Sequence, residues 1–179
     1  MLRDLSETAA GTVKGKPHLS LEQYVQAFYF DQVIEAANLR FTRMTEGRYA
    51  LLRRDDRETL GTPQALDIDI LDHYTGMKRP VGSLSGGESF QAALSMALGL
   101  SDIVQAHAGG VEIDALFIDE GFGSLDSTSL QQALLALQEL SGQRKFIGVI
   151  SHVPDLKTQI ERQIIVEKTA EGSALRLQL

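Results

Sequence analysis

The chain has 179 residues, of which 43% are hydrophobic and 23% are charged, a composition typical of one globular domain with its own core. It contains no cysteine, which excludes a disulfide framework and any cysteine-based zinc site. No run approaches the roughly 20 apolar residues of a membrane span, and the first residues lack the apolar core of a signal peptide. We therefore expect a soluble, cytoplasmic protein without a membrane partner.

The net charge of −7 is unevenly spread along the chain. Residues 1–83 have 11 Lys and Arg against 12 Asp and Glu, whereas residues 84–179 have 6 against 12. Proteins that grip DNA over a broad surface normally carry a basic excess, which this chain lacks. The candidate for a DNA-contacting face is an arginine cluster: Arg40, Arg43, Arg48, Arg53, Arg54 and Arg57. We favour the interpretation that these arginines form an ordinary solvated helix and strand surface.

The first predicted element is one long helix from Leu21 to Met44. Residues 1–18 precede it, and their small and polar side chains predict a flexible tail or linker. Ser20 is suited to cap the start of the helix, and Gly47 follows its end. Apolar side chains at spacings of 3, 4, 4 and 3 residues predict one buried helix face: Phe30, Val33, Ala37, Phe41 and Met44.

Two strands and a turn are predicted next. Tyr49–Arg53 predicts a strand, and residues 66–70 alternate apolar and acidic side chains, as a half-solvated strand does. Residues 73–77 predict a turn that contains Gly76. From Leu84 onward the pattern changes to helices that alternate with short apolar strands.

This alternation predicts an α/β fold. Helices are expected at 88–100 and along an apolar face that Gly142 ends: Leu130, Ala133, Leu134, Leu137 and Leu140. A short apolar strand at 115–118 and a buried strand at 146–150 are expected between and after them. Residues 162–167 and 174–178 predict an antiparallel hairpin around Gly172. Short apolar strands that alternate with helices indicate a mainly parallel sheet flanked by helices.

Two adjacent carboxylates, Asp119 and Glu120, follow the apolar strand 115–118. Open α/β sheets bind ligands at the edge where their parallel strands end. One carboxylate at such an edge can hold a magnesium ion, and the next can orient water against a phosphate. The alternative is a strand that simply ends in surface acids, and these two residues alone do not decide between them.

Three further segments sit next to predicted strand or helix ends. Ser85, Gly86 and Gly87 precede Glu88 at a helix start, where backbone N–H groups and the helix dipole favour an anion. Taken alone, this segment indicates a Ser-capped helix after a glycine-rich turn. Two remaining signals, each weak alone, are Ser124 and Asp126 before the next helix and His152 after the strand 146–150.

Together, and in this order, the four segments resemble the signature motif, Walker B motif, D-loop and switch histidine of ATP-binding-cassette (ABC) ATPases. Glu120 is followed by Gly-Phe-Gly-Ser-Leu-Asp, where transporter cassettes usually have Pro-Thr. With Ser-His-Val at 151–153 and the segments LSLEQYV, EAANLRF and MTEGRYALLRR, the chain resembles the SbcC family of exonuclease ATPase subunits. The resemblance extends from residue 19 to the C-terminus.

The resemblance implies a divided ATPase head. In this family an N-terminal lobe carries the P-loop, a long coiled coil follows, and a C-terminal lobe returns to the first. This sequence has neither the P-loop pattern G-x-x-x-x-G-K-[ST] nor a Cys-x-x-Cys hook. It is therefore expected to be the C-terminal lobe, with residues 19–46 as the base of the returning coil and 47–179 as the lobe itself.

The resemblance also implies roles for individual residues. Asp119 would hold Mg²⁺, Glu120 would orient the water that attacks ATP, and His152 would contact the γ-phosphate. The residues expected at the nucleotide and the dimer interface are Ser85, Gly86, Gly87, Glu88, Ser124 and Asp126. The signature residues among them would bind the ATP of a second, identical head, so that two ATP molecules join two heads.

The family's heads control a partner nuclease, SbcD, on double-stranded DNA ends, and that nuclease docks near the base of the coil. Residues 24–30 are apolar on nearly every side, which fits such docking or, as we slightly favour, pairing with the outgoing coil helix. Two alternatives to the assignment stay open: the head of a transporter or SMC-type protein, and a non-catalytic interaction module. The Gly-Phe-Gly segment and the lack of Pro-Thr weigh against transporter and SMC heads.

Overall fold

The computed structural model describes residues 6, 9–11, 20–54, 66–107, 115–141, 146–169 and 172–178. The predicted tail at residues 1–18 lies almost wholly outside these residues. None of the helices within them is long and apolar enough to span a membrane.

Helix α1 runs from Leu21 to Met44, as predicted. A capping box closes its start: Ser20 Oγ accepts from the Gln23 N–H at 3.1 Å, and the Ser20 N–H donates to Gln23 Oε1 at 3.0 Å. At its end, the N–H of Gly47 donates to the carbonyl of Thr42 and the N–H of Glu46 to that of Arg43. This Schellman arrangement turns the chain with positive φ at both Glu46 and Gly47.

The buried face of α1 confirms the predicted stripe along most of its length. Its buried side chains are Val33, Ile34, Ala37, Phe41 and Met44, and Phe30 is partly buried. Nearer the start of the helix, the large apolar side chains are exposed: Tyr24, Val25, Phe28 and Tyr29. The C-terminal half of α1 is therefore built into the domain, and its N-terminal end carries an apolar surface.

A three-stranded antiparallel sheet follows α1, with strands in the order β1 (Tyr49–Arg53), β2 (Ile68–Asp72) and β3 (Met77–Pro80). Strand β1 has the predicted bounds, and β2 lies two residues later than predicted. Gly76, at φ +69°, forms the predicted turn between β2 and β3. This sheet packs on α1 in one apolar cluster of buried residues: Ile34, Ala37, Phe41, Tyr49, Leu51, Ile70, Leu84 and Ala92.

Helix α2 (Gly86–His107) crosses α1 at close range. It begins two residues before the predicted start and ends seven residues after the predicted end, because its last turns still contact α1 through the Arg40–Asp102 ion pair and the ring contact of Tyr29 with His107. At Gly99 the two backbones approach so closely that a Cβ would lie 2.7 Å from both Ala37 N and Val33 O.

The second apolar cluster holds α2 against strands β4 (Ala115–Asp119) and β5 (Phe146–Ile150) and helix α3 (Ser127–Ser141). Strands β4 and β5 pair in parallel. The buried members of this cluster are Met44, Leu94, Leu98, Phe122, Leu130, Ala133, Leu134, Leu137 and Leu156. Four of the five residues predicted for the inner face of α3 are among them. The side chain of the fifth, Leu140, is not among those that the structure describes.

Only one face of the β4–β5 pair is covered. Leu116, Ile118, Ile147 and Val149 pack on the second cluster. The opposite face carries Phe117, Phe146 and Ile150, each more than half exposed. The prediction of a buried strand at 146–150 was therefore wrong for this face, because no element among the described residues lies over it.

The chain ends with α4 (Pro154–Gln159) and the predicted hairpin of β6 (Gln163–Thr169) and β7 (Gly172–Gln178). Helix α4, which begins at a proline, was not predicted. The α/β class, the parallel strands with flanking helices and the C-terminal hairpin are confirmed. Among the described strands, parallel pairing is confined to β4 and β5, and the other five strands pair antiparallel.

Replacement of Gly99 by alanine should destabilise the chain by about 1–3 kcal/mol, because the added methyl group meets the backbone of α1, which cannot move aside as a side chain can. The matched control is Gly82→Ala, since nothing lies within 4 Å of a Cβ at Gly82. Urea unfolding of the two variants measures the difference. Equal midpoints for Gly99→Ala and Gly82→Ala would contradict the close crossing of α1 and α2.

Candidate functional site

Parallel pairing of β4 and β5 brings two of the predicted segments to one edge of the sheet. Asp119 is in register with Ile150, so both strands end together. The chain then continues as Glu120 after β4 and as Ser151 and His152 after β5. The N–H of Glu120 donates to the carbonyl of Ile150 at 2.9 Å, which extends the ladder by one residue.

Glu120 and His152 meet directly at this edge. The Nδ1 atom of His152 lies 3.0 Å from Oε2 and 3.2 Å from Oε1 of Glu120. Both side chains are exposed, with fractions of 54% for Glu120 and 78% for His152. The pair is therefore open to a ligand from outside the domain. Glu120 adopts φ +62° and Gly121 φ +96°, so the chain leaves β4 through two left-handed residues.

Asp119 lies at the end of β4 on the uncovered face, the same face as Phe117. No group of three His, Asp or Glu side chains suited to hold a metal ion occurs among the described residues. Mg²⁺ commonly takes only one or two protein carboxylates and completes its shell with phosphate oxygens and water. A single exposed carboxylate beside Glu120 fits that mode, and it does not fit a metal site made of protein ligands alone.

The glycine segment at 85–88 is the first turn of α2, closed by its own capping box. The N–H of Ser85 donates to Glu88 Oε2 at 2.9 Å, and Ser85 Oγ accepts from the Glu88 N–H at 3.3 Å. Ser124 lies directly against this turn: a Cβ on Gly86 would lie 3.4 Å from Ser124 Cβ, and one on Gly87 would lie 3.5 Å from its carbonyl oxygen. The structure thus joins the 85–88 turn to the segment that follows Glu120.

The segment from Gly121 to Asp126 links the two groups. Ser124 Oγ donates to the carbonyl of Gly121 at 3.1 Å, across a 3-10 turn at Phe122–Ser124. Asp126 then caps α3, since its Oδ1 accepts from the Ser129 N–H at 2.7 Å. Hydrogen bonds from the backbone and side chain of Ser129 hold the pKa of Asp126 below its usual range.

Phe90 explains the glycine that follows Glu120. A Cβ at Gly121 would lie 2.4 Å from Phe90 Cε2, so the ring occupies the space of any side chain there. The Phe90 ring also packs on Phe122, with centroids 4.8 Å apart. Helix α2 therefore fixes the course of the chain directly after the paired acids, a role of Phe90 that the sequence pattern did not reveal.

Glu88 is the electrostatic centre of the 85–88 turn. Burial raises the pKa of Glu88. Hydrogen bonds from Ser85 and from the Tyr49 hydroxyl lower it, as does the charge of Arg48, and together these effects leave the pKa below its ordinary value. In turn, burial and the Glu88 carboxylate raise the pKa of Tyr49, despite the opposing charges of Arg48 and Arg79. The sequence placed Arg48 only in a surface cluster and gave no signal for Tyr49.

The other arginines of the predicted cluster are paired with carboxylates of the same chain. Arg40 lies 2.7 Å from Asp102, and Arg43 lies 2.7 Å from Glu139. Arg53 pairs with Asp31, and Arg54 pairs with both Asp67 and Asp69. Arg57 lies outside the described residues. These ion pairs favour the interpretation as an ordinary charged surface over a DNA-contacting face.

Residues 60–139 match a family model described as "SbcC/RAD50-like, Walker B motif". Among curated proteins, the chain is 47% identical over 173 residues to the SbcC subunit of the nuclease SbcCD from Vibrio cholerae. It is 41% identical over 172 residues to the SbcC subunit from Staphylococcus aureus. These alignments cover 97% and 96% of this chain but only 17% of each relative.

Solved structures similar to the chain are ATPase heads of SMC proteins. One, from work on ATP-driven dimerisation and DNA-stimulated activation of SMC ATPases, superposes with a TM-score of 0.66 at 15% identity, over 88% of this chain and 89% of that one. The Smc head of Pyrococcus furiosus bound to the C-terminal domain of ScpA gives 0.60 at 16% identity, over 87% and 37%. These similarities confirm the predicted fold.

Replacement of Glu88 by glutamine should destabilise the chain by about 1 kcal/mol at pH 7, because the neutral amide accepts more weakly from Ser85 and loses its attraction to Arg48. The folded-state pKa of Glu88 lies below its ordinary value of 4.5. The stabilisation is therefore present above that value and is lost as the pH falls through the folded-state pKa. Thermal unfolding of wild type and variant should differ most at pH 7, and the difference should shrink as the pH falls below 4.5.

A control for this measurement is Glu139→Gln, which removes the exposed ion pair with Arg43 and should change stability less at either pH. A difference between wild type and Glu88→Gln that grows as the pH falls below 4.5 would contradict the ionised state of Glu88.

Proposed function

Because this chain belongs to the SbcC family, as a C-terminal segment of its ATPase head, we propose that it supplies half of an ATP-hydrolysing site. The observation that carries the proposal is the contact of Glu120 with His152 beside Asp119, at the edge where β4 and β5 end. The chain spans 17% of the length of the curated relatives. The whole subunit would then be the ATPase part of a DNA double-strand-break repair exonuclease.

In the proposed reaction, Glu120 orients the water that attacks the γ-phosphate of ATP, and His152 contacts that phosphate. The 3.0 Å contact between His152 Nδ1 and Glu120 Oε2 keeps the two side chains together at the sheet edge. Because both are exposed, a nucleotide can reach them there. Asp119 is the residue that would hold Mg²⁺, which neutralises phosphate charge when bound. The P-loop, absent from this sequence, would come from an N-terminal lobe of the same subunit.

The 85–88 turn serves a different ATP molecule in this proposal. The Ser85 hydroxyl and the N–H groups of Gly86 and Gly87 lie at the start of a 22-residue helix, where the helix dipole favours phosphate. They would bind the nucleotide held by a second head, and Glu88 would stabilise the turn by accepting from the Ser85 N–H. Ser124 and Asp126 would lie at the same interface, since Ser124 packs against Gly86. Two ATP molecules would thus join two heads, and hydrolysis would release them.

The exposed apolar surfaces fit the proposed partners. The uncovered face of β4 and β5, with Phe117, Phe146 and Ile150, is suited to an N-terminal lobe that packs over it. The exposed end of α1, with Phe28 and Tyr29, is suited to the outgoing coil helix or to a nuclease of the SbcD type. ATP-dependent closure of two heads would control that nuclease on double-stranded DNA ends in the cytoplasm. A non-catalytic interaction module would not require the contact between Glu120 and His152.

In a head assembled from this chain and an N-terminal P-loop lobe, Glu120→Gln should preserve ATP binding and lower turnover about a hundredfold or more. The amide keeps the shape of the side chain but does not polarise water. The variant heads should accumulate as an ATP-bound dimer, and size-exclusion chromatography with and without ATP measures this.

The control is each lobe alone. This chain without the P-loop lobe should hydrolyse no ATP above background, because it lacks the backbone cradle and lysine that neutralise the phosphates. Robust turnover by the isolated chain would sink the proposal of a divided site.

Replacement of Ser85 by arginine should have the opposite effect on dimerisation. The large cation at the start of α2 should block closure of two heads while each head still binds ATP through its own P-loop. A matched control is Ser173→Arg, which puts the same side chain on the exposed hairpin. If Ser85→Arg heads dimerise with ATP as the control does, the assignment of the 85–88 turn is wrong.

A further inference from the structure

Arg48 lies between two carboxylates that belong to different parts of the fold. Its Nη1 is 3.7 Å from Glu88 Oε1, at the start of α2, and its Nη2 is 3.6 Å from Asp72 Oδ2, at the end of β2. Both distances exceed those of a good hydrogen bond, so the guanidinium acts on the two carboxylates through its charge.

Aromatic rings hold the guanidinium in this place. Its central carbon lies 4.6 Å from the ring centroid of Tyr49 and 5.6 Å from that of Tyr74, within the range of cation–π attraction. The Nε atom of Arg48 is buried and has no hydrogen-bond partner among the described residues. The side chain is therefore held by ring faces and charges, and not by a fork of hydrogen bonds.

The support beneath Arg48 is rigid. Tyr49 is almost fully buried, and its ring stacks on Phe41 of α1 at 6.3 Å with an interplanar angle of 16°. Arg79 donates to the Tyr49 hydroxyl at 3.2 Å. Asp72 is buried as well, and its Oδ1 accepts from the Tyr74 N–H at 2.9 Å. Arg48 thus projects from a fixed platform toward the one carboxylate, Glu88, that closes the 85–88 turn.

We propose that Arg48 is a positioning residue for the 85–88 turn: its charge holds Glu88 where the carboxylate accepts from the Ser85 N–H and so presents Ser85 to the nucleotide of a second head. Arg48 acts through Glu88 and does not touch the nucleotide. The inference rests on the proposed function, because that function gives the turn a nucleotide to bind.

The test compares Arg48→Ala with Arg48→Lys in heads assembled with the P-loop lobe. Arg48→Ala should raise the head concentration needed for half-maximal ATP-dependent dimerisation about five- to tenfold. ATP affinity of a single head and turnover at saturating head concentration should change less than about twofold, because Arg48 touches neither the P-loop nor Glu120. Arg48→Lys keeps the charge and should recover part of the dimerisation.

A matched control is Arg40→Ala. Arg40 also joins the N-terminal part of the chain to α2, through Asp102, but about 21 Å along the helix from Glu88. The Arg40→Ala substitution should leave ATP-dependent dimerisation unchanged. Equal weakening by Arg40→Ala and Arg48→Ala would overturn the proposal, since a general loss of packing between α1 and α2 would then explain both.

A double substitution separates positioning from a structural role as partner of Asp72. If Arg48 acts through Glu88, Arg48→Ala should weaken dimerisation less than about twofold in a Glu88→Gln background. Additive effects of the two changes would overturn the proposal. Normal dimerisation of Ser85→Arg would instead remove the proposed function itself. A block by Ser85→Arg with unaltered dimerisation of Arg48→Ala would remove only the role of Arg48.

Discussion

The parallel pairing of β4 and β5 is the constraint on which the candidate site depends. The strands are separated by a whole helix in the chain, yet their register places Asp119 beside Ile150 and lets the Glu120 N–H continue the ladder. A slip of one residue would turn the side chains of one strand to the opposite face and move His152 away from Glu120. The apolar cluster beneath the strands fixes that register, because Leu116 and Ile118 must face it together with Ile147 and Val149. The packing of the apolar core therefore determines the geometry of the candidate site.

Much of this arrangement follows from short-range patterns in the sequence. The stripe on α1, the cap at Ser20 and the apolar face of α3 are local signals, because one helix period or one hydrogen bond determines them. The sequence placed Glu120 and His152 each directly after a predicted strand, and parallel pairing of those strands brings the two side chains together at one edge. What the sequence did not show is how far α2 extends, because its last turns are held by contact with α1 and not by a local stop signal.

Contacts between distant parts of the chain account for the features that sequence reasoning missed. Arg48 was grouped with neighbouring arginines by position, yet its guanidinium lies beside Glu88 of the 85–88 turn, because the pairing of β1 with β2 places it there. Tyr49 belongs to no sequence pattern that singles it out. It supports Arg48 only because α1 and the antiparallel sheet bury its ring beneath the guanidinium. The exposed face of β5 was expected to be buried, since an apolar strand looks the same whether its partner belongs to this chain or to another polypeptide.

The left-handed backbone of Glu120 has a consequence for how this position can change. A residue with a side chain at φ +62° stores about 1–3 kcal/mol of conformational strain, which a glycine would not. Substitution by glycine would therefore relax the backbone and favour the folded domain, while it removed the carboxylate. Stability and chemistry oppose each other at this residue. A chain optimised for stability alone would favour glycine over glutamate at this position.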